Sequence, residues 1–346
     1  MGHQYLTRKT EPLPVNLSSD VFQLVEKMGG ISFQGRNLST ALRVWRAMLQ
    51  DKTSIFLGIS GALIPAGLRN VFVYLIKNRL IDCIVSTGAN LFHDCHESLG
   101  KFHYLGTVEV NDLELKKHNI DRIYDTFASE LEFEETDDYI AKFASNLDSS
   151  YPYSTREFFY LLGKKLSQQK HTEGILTSAY KAKVPIYCPA VGDSSVGIAI
   201  STHTYKKKSK FLFDLIKDVE ETAEMILQSK STGVIYLGGG TPKNFIQQTE
   251  ITATLLKKES LPGHKYAIQI TADAPHWGGL SGCTFKEAQS WGKIHKEAKM
   301  VTIYSDVTLA LPILVTALAQ SLKRKPIKRK SPKFAIDQKE LVIKID

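Results

Sequence analysis

Short apolar runs rich in β-branched residues recur along the chain. Small residues bound each of them, and longer stretches with apolar positions three and four apart lie between. The short runs predict buried strands at 54–59, 83–86, 185–188, 210–213, 234–237, 267–270 and 301–304. The three-and-four spacing predicts helices at 67–79, 136–146, 155–168, 215–230, 242–255 and 308–323. Strands that are apolar throughout are covered on both faces, and their alternation with helices implies crossover connections. The pattern therefore predicts an α/β fold, a doubly wound, mostly parallel Rossmann-like sheet with helices on both faces.

The first thirty or so residues read as peripheral, the first twenty most plainly. Beyond residue 322 the pattern breaks into a basic stretch containing Pro326 and Pro332. The chain thus divides into an N-terminal segment (1–20), one body (21–322) and a basic tail (323–346). At 346 residues, with 43% hydrophobic and 23% charged positions, the body can enclose a large core. No run of about eighteen apolar residues appears and the N-terminus is polar, so the sequence predicts neither a membrane span nor a secretory segment, and a cytoplasmic protein. Cys83, Cys95, Cys188 and Cys283 include no CxxC pair and read as reduced thiols.

The net charge of +8 is largely local, in Lys206-Lys207-Lys208 with Lys210, and in 323–325 with 328–330. No aromatic residues interleave with these charges, so they read as solvated faces rather than as a nucleic-acid surface.

In a doubly wound sheet, ligands bind outside the carboxyl ends of the strands. Gly238-Gly239-Gly240 ends one predicted strand, and Pro242 suits the first turn of the helix that follows. Backbone amides there could approach a pyrophosphate, although the segment lacks the full G-x-G-x-x-G pattern and also fits a plain tight turn. Thr87 and Gly88, Asp193, and Ser305 with Asp306 end other strands and could contact phosphates and ribose hydroxyls. The loop His276 to Gly282 leads to Trp291-Gly292-Lys293. A lysine held against an apolar wall there would be a stronger nucleophile, since desolvation disfavours its charged form; an ordinary lysine at a helix end is solvated.

The string Glu287-Ala288-Gln289-Ser290-Trp291-Gly292-Lys293-Ile294 closely resembles the signature of deoxyhypusine synthases, whose lysine forms a covalent imine. The resemblance extends, in family order, through Ile55-Phe56-Leu57-Gly58, Gly67-Leu68-Arg69, Ser86-Thr87-Gly88, Tyr104-Leu105-Gly106, Asn119-Ile120-Asp121-Arg122-Ile123, Pro189-Ala190 with Asp193, the three glycines, and Tyr304-Ser305-Asp306. It implies NAD-dependent transfer of an aminobutyl group from a polyamine such as spermidine to an acceptor amine, and a homotetramer with active sites shared between paired subunits. The acceptor is a protein lysine in deoxyhypusine synthases and putrescine in the related homospermidine synthases. By the same resemblance Lys293 is the covalent residue, Trp291 lines the butyl chain and Glu287 holds an amine. Thr87, Gly88, Asp193, Gly238, Gly239, Gly240, Ser305 and Asp306 bind NAD, and Ser195, Asn244, Trp277, Leu280 and Ser281 line the substrate pocket.

Departures from the family pattern fall on the substrate side. Carboxylates of the family are replaced by Ile198, Trp277 and Leu280, a histidine by Asn244, and paired glutamates by Phe92 and His93. Burying an ammonium without a carboxylate costs several kcal/mol, so the donor, the acceptor or both are expected to differ from the family's. The sequence resembles the bacterial deoxyhypusine-synthase-like branch. A catalytically silent NAD-binding protein is the remaining alternative. His93 reads as a general base or ribose contact, and no metal is expected, since no second ligand pair lies at a standard spacing from His93 and His96.

Overall fold

The structure is a computed structural model and describes residues 7–169, 173–329, 331–336 and 341–344. Residues 7–18 are exposed and carry no helix or strand. Asp20 then caps α1 (Val21–Lys27) by accepting from the Gln23 amide at 2.9 Å, while Gln23 returns the bond to the Asp20 amide. Next comes α2 (Phe33–Gln50), followed by β1 (Thr53–Ile59), α3 (Arg69–Lys77), β2 (Cys83–Ser86) and α4 (Gly88–Ser98). A small antiparallel sheet follows, made of β3 (Tyr104–Leu105), β4 (Ile120–Ile123) and β5 (Thr126–Ser129) in the order β3-β5-β4, with α5 (Asp112–Lys117) inserted. The chain continues through α6 (Glu130–Ser145), α7 (Thr155–Leu166), α8 (Ile175–Ala182), β6 (Ile186–Tyr187), α9 (Ser195–Lys207) and α10 (Leu215–Gln228). It closes with β7 (Ser231–Leu237), α11 (Gly240–Lys257), β8 (His264–Thr271), α12 (Phe285–Ser290), β9 (Ile294–Tyr304), α13 (Val307–Arg324) and the antiparallel pair β10 (Lys333–Ile336) and β11 (Leu341–Lys344).

The main sheet has six strands in the order β6-β2-β1-β7-β8-β9, all parallel. Winding runs outward in both directions from β1 and β7, so the switch point lies between their carboxyl ends. Alternation along each strand feeds two cores. Ile55, Leu57, Ile235 and Ile268 face α1, α2 and α13, whereas Phe56, Val234, Tyr236 and Ala267 face α10, α11 and α12. The doubly wound α/β reading is thereby met.

Several element predictions are corrected. Residues 210–213 form no strand: Phe213 makes one isolated bridge to Tyr153, and Phe211 and Phe213 pack on Phe158 instead of extending the sheet. The helix expected from residue 67 begins at Arg69, because Gly67 has φ 85° and interrupts the preceding turn, Ile64–Leu68. Residues 21–30 are not peripheral, since α1 packs on α13 and buries Val25. The tail also reaches the body. Arg329 donates to both carboxylate oxygens of Asp82, Phe334 is buried under the Arg79 guanidinium, and Lys330 lies outside the described residues. Among the described residues α13 alone is long and apolar enough to cross a membrane by length and composition, but its Leu311, Leu314 and Leu318 are fully buried in the core.

Candidate active site

The ends of β1, β2 and β7 are tied together at the switch point. Ser60 donates its hydroxyl to the Gly239 carbonyl, spanning the gap between β1 and β7. Asn90, in the first turn of α4, accepts from the Leu63 amide at 2.8 Å and donates to the Gly61 carbonyl and the Thr87 hydroxyl at 3.0 and 2.9 Å. Gly88 lies so close to Ser194 that a Cβ there would sit 2.2 Å from its hydroxyl, which brings the amino ends of α4 and α9, and with them Ser195, to one place. Asp193 is exposed beside them. Asp306 caps α13, accepting from the Thr308 amide at 2.8 Å through one oxygen, and is exposed.

This crevice suits a dinucleotide. Gly238 and Gly240 have φ of 75° and 54°, conformations that favour glycine, and nothing stands within 4 Å of where a Cβ would lie on Gly61 or Gly192. Amino ends of α4, α9, α11 and α13 face it, offering partial positive charge to phosphates, and Asp193 and Asp306 offer acceptors to ribose hydroxyls. The Gly240 amide is already taken, however, by the Ser281 hydroxyl at 3.0 Å. A Cβ on Gly239 would lie 2.3 Å from the Ser281 Cα. Gly239→Ala should therefore push the 281 segment outward and raise amide hydrogen exchange there about tenfold, a loss of roughly 1.4 kcal/mol in opening free energy, with little change in thermal midpoint; exchange followed by mass spectrometry checks it.

Lys293 lies elsewhere on the sheet. Its carbonyl accepts from the His264 amide, at the amino end of β8, while Ser305 follows the carboxyl end of β9. At about 3.3 Å per residue the two ends of β8 are separated by roughly 20 Å, so one chain does not bring Lys293 to Asp306. Lys293 is 9% exposed and its ammonium lies 5.3 Å from the centre of the Trp291 ring. Trp291 is itself 65% exposed. Burial pushes the Cys283 thiol above its ordinary value; the Lys243 and Lys293 charges oppose this and Glu287 reinforces it, so three charged groups act on that one thiol. Asn244 is half-buried in the first turn of α11, whereas Trp277, Leu280 and Ile198 present large apolar side chains to solvent.

His93 belongs to a buried cluster. Its Nδ1 is 3.0 Å from His103 Nε2, and His103 Nδ1 is 2.9 Å from Glu97; His96 Nδ1 is 3.0 Å from the Thr136 hydroxyl, and Phe133 packs among the three rings. Glu97 and His103 line a cleft of about 670 Å³ that also includes Asp306, Tyr124 and Asp125. Burial, with His103 next, pushes His93 down to about 3 and His96 to about 4. Both lie below the ordinary 6.5, so the stability held by the neutral rings is whole above pH 6.5 and is lost as pH falls. His96→Gln should flatten the acid limb of urea stability between pH 6.5 and 4 by up to about 3 kcal/mol. Among the described residues no group of three or more His, Cys, Asp and Glu is placed to hold a metal ion.

Ser60 and Asn90 lie at strand ends that the sequence marks, Ser60-Gly61-Ala62 and Ser86 to Asn90. Sequence reasoning missed Lys243 and Gln269, whose roles come from each other and from the carbonyls of residues 238, 281 and 283.

The deoxyhypusine synthase family model matches residues 23–318. "Probable deoxyhypusine synthase 2" of Methanosarcina mazei is 48% identical over 343 residues, covering 98% of both chains. "Probable deoxyhypusine synthase 2" of Archaeoglobus fulgidus is 48% identical over 84% of this chain and 95% of its own. Among solved structures, an Entamoeba histolytica chain named for the same enzyme superposes with a TM-score of 0.62 at 18% identity, covering 93% of this chain and 97% of that one, a likeness of fold.

Proposed function

This chain belongs to the deoxyhypusine synthase family, and we propose that it is an NAD-dependent transferase moving an aminobutyl-type group from a polyamine to an acceptor amine through an imine on Lys293. The observation that carries the reading is a lysine buried beside Trp291, within the family's signature string. Thr87, Gly88, Asp193, the turn Gly238 to Gly240, Ser305 and Asp306 would hold NAD, which when bound supplies the hydride acceptor for the amine-bearing carbon and later returns the hydride. Lys293 exchanges its amine for the departing amine fragment and is then displaced by the acceptor. Trp291 shields the alkyl chain from water, and Glu287 accepts hydrogen bonds from an ammonium.

The separation of Lys293 from Asp306 within one chain, together with exposed Trp277, Trp291 and Leu280, supports sites completed between subunits of a homotetramer. Ile198, Trp277 and Leu280 offer no charge to a second ammonium, which favours a donor or acceptor other than the family's usual one.

The test is incubation with NAD and spermidine, putrescine, agmatine or homospermidine, followed by borohydride reduction and mass mapping. An adduct on Lys293 is expected, its mass naming the donor. Adding a protein lysine or putrescine then separates a protein acceptor from a homospermidine-synthase-like one. NAD binding with no adduct from any amine would overturn the imine reading in favour of a silent family member.

A further inference from the structure

We propose that Lys243 and Gln269 form a clip that binds the three-glycine turn and the loop 276–283 into one unit, making Lys243 a positioning residue that couples ligand binding at the turn to the segment carrying Lys293. Lys243 stands in the first turn of α11 and is 1% exposed. Among the described residues no carboxylate lies within ion-pair distance of it. Its ammonium donates instead to Gln269 Oε1 at 3.0 Å, the Cys283 carbonyl at 2.5 Å and the Ser281 carbonyl at 3.5 Å, and faces the Tyr236 and Phe285 rings, each 6.0 Å away. The Gln269 amide donates onward to the Gly238 and Ser281 carbonyls, both at 2.8 Å.

A buried cation without a counter-ion is costly, and a methionine would fill the same volume. What methionine cannot do is offer three N–H donors to acceptors on β8 and the loop. Those donors hold the loop carbonyls inward, and α12, which leads to Glu287, Trp291 and Lys293, starts two residues after Cys283. Displacing the loop therefore displaces both the Gly240 contact and the approach to Lys293.

Titration offers a probe of the clip. Burial pushes Lys243 down to about 8, opposed by Cys283 and Glu287; Tyr236 of β7, Gln269 of β8, Cys283 of the loop, Glu287 of α12 and, beyond Cys283, Lys293 are the groups around it. Above that pH the neutral amine has two N–H donors for three acceptors. Since the folded value lies below the ordinary 10.5, the fold gains stability from this group as pH rises from 8 to 10.5, so loosening of the loop in that window is not unfolding.

The test is amide hydrogen exchange of the peptide 276–284 in the full-length protein, corrected for intrinsic rate, alongside NAD titration. Exchange should rise about tenfold in Lys243→Met and in Gln269→Leu, with NAD affinity falling by a similar factor. Wild-type exchange should also rise between pH 7 and 9, while Lys243→Met shows no such step. The wild-type arm needs no variant to fold. Loop exchange and NAD affinity within twofold of wild type in both variants, or no pH step in wild type, would overturn the clip. The clip rests on the proposed function only for what the turn binds: a missing Lys293 adduct leaves the exchange result to decide it, and unchanged exchange defeats it whatever the adduct shows.

Discussion

Replacing Lys293 by alanine should abolish the borohydride-trapped adduct and lower aminoalkyl transfer by about 10³-fold or more, because the covalent route then has no amine to form it. Lys293→Arg should fail equally, since a guanidinium keeps the charge but does not condense with a carbonyl-like carbon. The loss should be chemical rather than structural. Lys293 is joined to the fold through its backbone carbonyl at His264, which alanine retains, so the thermal midpoint should move by no more than about 2 °C, and NAD affinity should remain near that of wild type. Transfer that persists at more than a tenth of the wild-type rate in Lys293→Ala would remove the imine from the mechanism. A collapse of NAD affinity in the same variant would instead show that Lys293 shapes the cofactor site.

Asp94→Ala should be the most destabilising single change near the crevice. Asp94 is fully buried in α4 and accepts from Arg69 Nε at 2.9 Å and from the Ile175 and Leu176 amides at 2.7 and 2.8 Å, so one carboxylate pairs a buried cation and caps α8 from outside. Gly174 leaves room for it: a Cβ there would stand 2.4 Å from both Asp94 and Arg69. Truncation takes the charge from a buried pair and leaves two helix amides without an acceptor, a loss of about 3–5 kcal/mol. At roughly 2 cal/mol/K of unfolding entropy per residue, that corresponds to a fall of about 5 °C in thermal midpoint for a chain of this size. Asp94→Asn, which keeps one acceptor, should lie between. Calorimetry of the three proteins decides it, and a fall of less than about 1 °C for Asp94→Ala would mean that water replaces the carboxylate.

The sheet was legible because β1, β2, β7 and β8 are buried on both faces and so contain apolar runs, broken in β8 by Gln269 alone between Ile268 and Ile270. The small sheet β3-β5-β4 was not, since its strands are two to four residues long and half-exposed. Helix α2 was overlooked although Leu38, Ala41, Leu42, Trp45, Met48 and Leu49 keep a helical spacing on its buried face. The strand expected at 210–213 failed for the opposite reason: Phe211 and Phe213 supply the right alternation, yet their aromatic neighbours Tyr153 and Phe158 claim the rings before a sheet edge can.

At the site, the sequence by itself determined which residue types are present, the signature string that contains Lys293 and the turns that close β1, β2, β7 and β9. These are local matters, since a glycine at positive φ or a small residue at a strand end is dictated by its own backbone. Only the tertiary structure decided that Lys293 stands at the amino end of β9 while Asp306 stands beyond its carboxyl end, that burial in a cluster with His103 and His96 pushes His93 below its ordinary value, and that Lys243 is buried with no carboxylate within ion-pair distance among the described residues. Each depends on burial and on partners 10 to 40 residues away, His103 for His93, His264 for Lys293 and Cys283 for Lys243. Desolvation and hydrogen-bond geometry, which set the charge and reach of a side chain, do not exist until the chain has folded.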